Sequence, residues 1–111
     1  MQSERVAGLL IDLGETLRLS AELVARGRDA FNNDLAVRLA FEALSNRVGD
    51  VSKQLVLLDP SLFSEPIWCL AARNRDKIVH HYQLIDPDML WNTVAGDFPQ
   101  LHTLSLSKTA G

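Results

Sequence analysis

The sequence predicts an all-α fold, most simply an antiparallel up-and-down four-helix bundle with short connections. Three observations point there. Apolar residues recur at alternating steps of three and four over long stretches. The 6 glycines and 4 prolines in 111 residues are sparse and fall where helices should break. No strict apolar–polar alternation lasts more than a few residues, so strands have little support.

The first helix is expected from about Ser3 to Arg26. Ser3 is a candidate N-cap, and Val6, Leu10, Leu13, Leu17 and Val24 form the inward stripe. Arg26-Gly27-Arg28 should close it, with cations favoured at the negative end of the helix dipole. The second runs from about Asn33 to Leu57, capped by Asn33 or Asp34. Its stripe, Val37, Phe41, Leu44, Val48, Val51 and Leu55, is the clearest in the chain. Ala36, Ala40 and Ala43 form a small-residue strip suited to close helix approach. Gly49 lies mid-pattern, where glycine costs about 1 kcal/mol against alanine.

Residues 58–66 read as a loop. Pro66 can open the third helix, which carries Ile67, Leu70, Ala71 and Ile78 inward and ends near His81 or Tyr82. Asp86-Pro87 restarts a fourth, with Asp86 as N-cap and Leu90, Val94, Phe98 and Leu101 as its stripe. A single domain over residues 1–104 is expected, followed by a frayed polar tail, 105–111. Cys69, set among apolar neighbours, is expected to be a buried, inert thiol.

Composition narrows the function classes. Apolar residues make up 47%, which excludes disorder throughout, and no run is long enough to span a bilayer. The net charge of −3, from 11 Lys and Arg against 14 Asp and Glu, disfavours generic coating of nucleic acid. The N-terminal stretch is interrupted by Asp12 and Glu15, so no secretory signal is expected. One cysteine allows no internal disulfide, and a reducing cytoplasm is the expected compartment. No Cys/His set has metal-ligand spacing, and no cofactor is implied. A core of this size is marginal alone, so burial against a second copy would help and an oligomer is expected.

Reactive side chains concentrate in one segment, Arg73-Asn74-Arg75-Asp76-Lys77-Ile78-Val79-His80-His81-Tyr82. It holds two of the three histidines, the single tyrosine, and three of the 11 cations within five residues. At roughly 100° per residue, Asp76 and His80 can touch, while Arg75 and His80 diverge by about 140°. For both to act on one ligand, the helix must end or distort near His80, or a second subunit must complete the site. Arginine can hold a phosphate through a bidentate fork, and histidine exchanges protons near neutral pH. Together they suffice for metal-independent RNA cleavage, with Asp76 orienting the imidazole. The plain alternative is a solvated helix end whose cations neutralise the dipole. Trp68 and Trp91 are expected to pack in the core or at a dimer interface, and His81 to be an exposed neighbour.

At these residues the sequence resembles the HepT type of HEPN domain, whose motif is R-x-x-x-x-H-x-Y. Here it reads Arg75-Asp76-Lys77-Ile78-Val79-His80-His81-Tyr82. The broader HEPN pattern also admits Arg73-Asn74 as the arginine position. Trp68 lies seven residues ahead of Arg75, as in that family, although Pro66-Ile67-Trp68 stands in place of Pro-Trp. Downstream, Asp86, Trp91 and Asp97-Phe98-Pro99-Gln100-Leu101 resemble the family's ending. Upstream, residues 48–55 resemble its I-G-E-A-x-K-x-L stretch, with Asp50 for the usual Glu. Residues 35–101 can be laid on the family.

The resemblance implies an all-helical, two-fold dimeric ribonuclease toxin with Arg75, Asp76 and His80 at a cleft between subunits. Arg73, Asn74 and Lys77 would be further RNA contacts. It implies an MNT-type nucleotidyltransferase partner that transfers AMP to Tyr82. The alternative within the same group is a catalytically silent subunit that binds or regulates the nucleotidyltransferase. A helical dimerisation module with no chemistry is a third possibility.

Overall fold

The computed structural model describes residues 2–80 and 85–110, with side chains for all of these except Gln2, Val79, His80 and Ala110. Among the described residues there is no strand. The elements are α1 (Gln2–Val24), α2 (Arg28–Asn33), α3 (Leu35–Leu58), α4 (Pro66–His80), α5 (Pro87–Asn92) and α6 (Phe98–Ala110). A π turn, Thr93–Asp97, joins α5 to α6 without a break. The four long helices of the sequence reading are therefore present, the fourth being α5, the π turn and α6 together. α3 is central and packs on α4 and α1, and α1 packs on α6.

The predicted stripes form the core. Val6, Leu10, Leu13 and Leu17 of α1, Val37, Phe41, Val48, Val51 and Leu55 of α3, and Leu90, Val94, Phe98 and Leu101 of the last helix are all buried. On α4 the inward residues are Trp68, Ala71 and Ile78, whereas Leu70 is 37% exposed. The aromatic rings cluster in two places. Phe31, Phe41 and Trp91 form one group, with Phe31 and Phe41 centroids 4.7 Å apart. Phe63 meets Trp68 edge-on at 4.9 Å. Both tryptophans thus serve packing, and the Arg28 guanidinium lies over the half-buried Trp91 ring.

Helix ends follow local chemistry. Asp34 accepts from the Ala36 amide at 3.0 Å and caps α3. Asp86 accepts from the Asp88 amide at 2.9 Å and caps α5, with Pro87 in its first turn. Gly27, at φ 93°, makes the left-handed turn after α1 that only glycine takes without strain. Ser3 lies inside α1, one residue past its start, rather than capping it. The π turn coincides with Pro99. A proline ring has no N–H to donate and would press on the carbonyl four residues back, at Ala95. The chain widens there, and the Phe98 amide donates to the Thr93 carbonyl five residues back.

Three further expectations are corrected, and one element is new. The segment 105–111 is not a frayed tail as far as Ala110. It continues α6, with Ser105 buried and Lys108 bonded to Glu65. The six-residue α2 was not foreseen. Cys69 is exposed, because its neighbour Trp68 takes the inward position and the next residue turns about 100° away. The alanine strip does not mediate the close approach on α3, since Ala36 and Ala43 are exposed. That role falls to the buried Ser45, Gly49 and Ser52.

Candidate active site

Gly49 fixes where α3 meets α4. A Cβ placed there would lie 2.1 Å from Arg75 Cβ and 2.7 Å from the Ala71 carbonyl oxygen. The two helices are therefore in main-chain contact at this point, and no side chain fits between them. This is the structural reason for a glycine in mid-helix. The Ser45 and Ser52 hydroxyls on the same buried face have no hydrogen-bond partner among the described residues.

The contact sets Arg75 directly beside α3. Its Nε donates to Asn46 Oδ1 at 3.0 Å, and its Nη1 donates to Asp76 Oδ1 at 3.0 Å. The Arg75 side chain is 26% exposed, so the guanidinium is held at two points yet reaches solvent. Its other three N–H donors, both on Nη2 among them, have no partner among the described residues. Asp76 Oδ2 is likewise without a described partner. Asp76 remains four residues from His80, the spacing at which helical side chains can meet.

α4 runs as a helix to His80, and the expected end near His81 or Tyr82 falls outside the described residues. The His80 side chain lies outside the described ones, and His81 and Tyr82 lie outside the described residues. The remaining predicted positions divide. Arg73 and Lys77 are exposed. Asn74 is not a surface contact. It is 7% exposed, and its Nδ2 donates to Thr93 Oγ1 at 3.2 Å, where Thr93 in turn donates to the Met89 carbonyl. The spacing contains the reason: Asn74 falls on the same stripe as Ala71 and Ile78. It ties α4 to the π turn instead of facing a ligand.

Asn46 of α3 belongs to this site and was not foreseen, and Glu42 shares its face of the helix. Asn46 orients Arg75 from 29 positions away in sequence. Glu42 lies one turn before Asn46 on that face. Glu42 is half-buried; desolvation pushes its carboxyl above the usual range, and Arg38 partly offsets this. Their only sequence signal is the spacing Glu42, Asn46, Gly49, one helical face. Among the described residues, no three Cys, His, Asp or Glu side chains are grouped to hold a metal ion.

Arg75 is thus a partly exposed cation with a fixed orientation and free donors, suited to an anionic ligand of phosphate geometry. No helix is long and apolar enough to cross a membrane among the described residues. Residues 13–106 match the family described as ribonuclease HepT-like. A curated relative in Thermococcus cleftensis, Probable ribonuclease HepT, is 39% identical over 54 residues, 49% of this chain and 49% of that protein. The matched stretch therefore spans about half the length of that relative. No solved structure gave a significant match. The family match runs from the middle of α1 to α6 and takes in all of α3 and α4, and on that extent the chain belongs to the ribonuclease HepT-like family.

Proposed function

We propose that this protein is the toxin of a HepT/MNT-type pair, a metal-independent endoribonuclease acting as a two-fold dimer. The observation that carries this reading is Arg75: a guanidinium fixed by Asn46 and Asp76, with donors to spare, one turn before His80 on the same helix. In the reaction, a His80 imidazole takes the proton of an RNA 2′-OH. The 2′-oxygen attacks the adjacent phosphorus, and the bond to the 5′-oxygen breaks. A protonated imidazole, from the second copy in the shared cleft, delivers a proton to that leaving oxygen. The products are a 2′,3′-cyclic phosphate and a 5′-hydroxyl. Arg75 stabilises the extra negative charge on the phosphorane oxygens, and Asp76 sets the imidazole tautomer. Arg73 and Lys77 add backbone contacts.

Neutralisation follows the same electrostatics. A partner nucleotidyltransferase directs the Tyr82 hydroxyl onto the α-phosphorus of ATP, with pyrophosphate leaving. The bulky AMP anion would then occupy the guanidinium that RNA phosphate needs.

The test is cleavage of a mixed RNA in chelator by protein made without a nucleotidyltransferase, its Tyr82 shown unmodified by mass. Wild type should cleave. His80→Ala should lose about 10²- to 10⁴-fold in rate, and Arg75→Ala about 10²- to 10³-fold, both with unchanged helicity. Cleavage retained in both variants would remove the assignment. No cleavage by wild type would move the protein to the silent, nucleotidyltransferase-binding alternative.

A further inference from the structure

A groove of about 300 Å³ runs along the seam of α3 and α4, from Cys69 to Asp76. Its floor is aliphatic, formed by Val56, Leu57 and Ala72. Lys53 from α3 and Arg73 from α4 line it as well, and Asp76 marks the end nearest Arg75. On α4 the lining residues Cys69, Ala72, Arg73 and Asp76 follow one helical stripe, and four residues further along that stripe comes His80. The groove therefore leads into the candidate active site along the helix that carries it.

The charge of this groove suits an anion. The chain is acidic overall, and Arg18, Arg28, Arg47, Arg75 and Lys108 are each in an ion pair. Six cations have no ion pair among the described residues: Arg5, Arg26 and Arg38 are scattered elsewhere, whereas Lys53 and Arg73 line this one seam and Lys77 follows on α4. Two unpaired cations over an apolar floor, with one carboxylate at the far end, match a chain that alternates phosphates with flat apolar bases. The aliphatic floor carries no hydrogen-bonding code, so contact there would tolerate any base.

We infer that the α3–α4 groove is a subsite for the single-stranded RNA flanking the scissile phosphate, with Lys53 and Arg73 on backbone phosphates and a base against Val56, Leu57 and Ala72. This rests on the ribonuclease reading for its substrate, but its test does not depend on cleavage. A fluorescent 2′-O-methyl RNA oligonucleotide, which has no 2′-hydroxyl to attack, is titrated by anisotropy at several salt concentrations. Wild type should bind it. Lys53→Ala should bind about tenfold more weakly whatever the sequence, with a salt slope shallower by about 0.7, the value for one lost single-strand phosphate contact. Lys53→Arg should restore both. Leu57→Ser, at a side chain 74% exposed, should weaken binding a few-fold with the slope unchanged.

Unchanged affinity and slope in Lys53→Ala would overturn the inference, as would an absence of binding by wild type. A loss of oligomeric mass in Leu57→Ser would also overturn it, because the groove would then be an interface between copies. The two proposals separate cleanly. Binding as expected without cleavage of ordinary RNA keeps the groove and removes the nuclease. Cleavage with binding indifferent to Lys53 does the reverse.

Discussion

At its first turns α4 is held by burial, and two turns later it is held by main-chain contact and polar ties. Trp68 is fully buried against Phe63, and its indole Nε1 donates to Glu65 Oε1 at 2.8 Å. Arg75 sits on the bare backbone at Gly49 and is oriented by Asn46 and Asp76. The first end draws on apolar area, which stabilises the fold wherever the ligand is. The second leaves a cation partly exposed and incompletely satisfied, which contributes little to stability and much to binding. One helix thus joins an anchor to a working surface, and substitutions at its two ends should separate folding from activity.

The largest effect is expected at the anchor. Trp68→Ala should lower the unfolding free energy by about 3–5 kcal/mol, read by denaturant titration, while RNA affinity of the folded fraction stays near wild type. An equal loss of both would mean that the two ends are not separable. Gly49→Ala is the next largest. Its methyl meets the Ala71 carbonyl and Arg75 Cβ, neither of which can swing aside, so the helices must part. A cost of about 1–3 kcal/mol is expected, despite the better helix propensity of alanine, with a further drop in cleavage rate because Arg75 is displaced. Asn46→Ala sharpens the contrast: it removes the hydrogen bond without the collision and should slow cleavage at nearly constant stability. Stability falling as much in Asn46→Ala as in Gly49→Ala would show that Asn46 is structural.

The smallest effect concerns pH. The hydrogen bond from Lys108, then that from Trp68, holds the Glu65 carboxyl below its ordinary value of 4.5. A carboxyl lowered in the folded state stabilises the protein above its unfolded value and loses that contribution as it protonates. The stability gap between wild type and Glu65→Gln should therefore be full near neutrality and close as the pH falls below 4.5. A gap that does not vary with pH would place the effect in packing and not in charge.

Much of this was legible in the sequence. The stripes from Val6 to Leu17, Val37 to Leu55 and Leu90 to Leu101 carry a strong three–four rhythm, and caps such as Asp86-Pro87 are local. Gly49 stood out as a costly residue in mid-helix, but nothing local named the Arg75 and Ala71 atoms it meets. Asn46 joins the site only through packing of α3 on α4, so nothing local marks it. Asn74 was misplaced because its polar character outweighed its position on the Ala71–Ile78 stripe. Cys69 was misplaced for the converse reason, an apolar neighbourhood outweighing its phase. α2 has too few residues for a period to show.

The carboxylate of Glu65 has a consequence for handling the protein. It takes one donor from Trp68 in α4 and one from Lys108, near the last described turn of α6. The far end of the chain is in this way clasped to the start of the helix that carries the candidate active site. A truncation before Lys108 would open that clasp, and a bulky fusion close behind it would pull on it. A tag is therefore better attached with a spacer, or at the other terminus, if the properties of α4 are to be measured undisturbed.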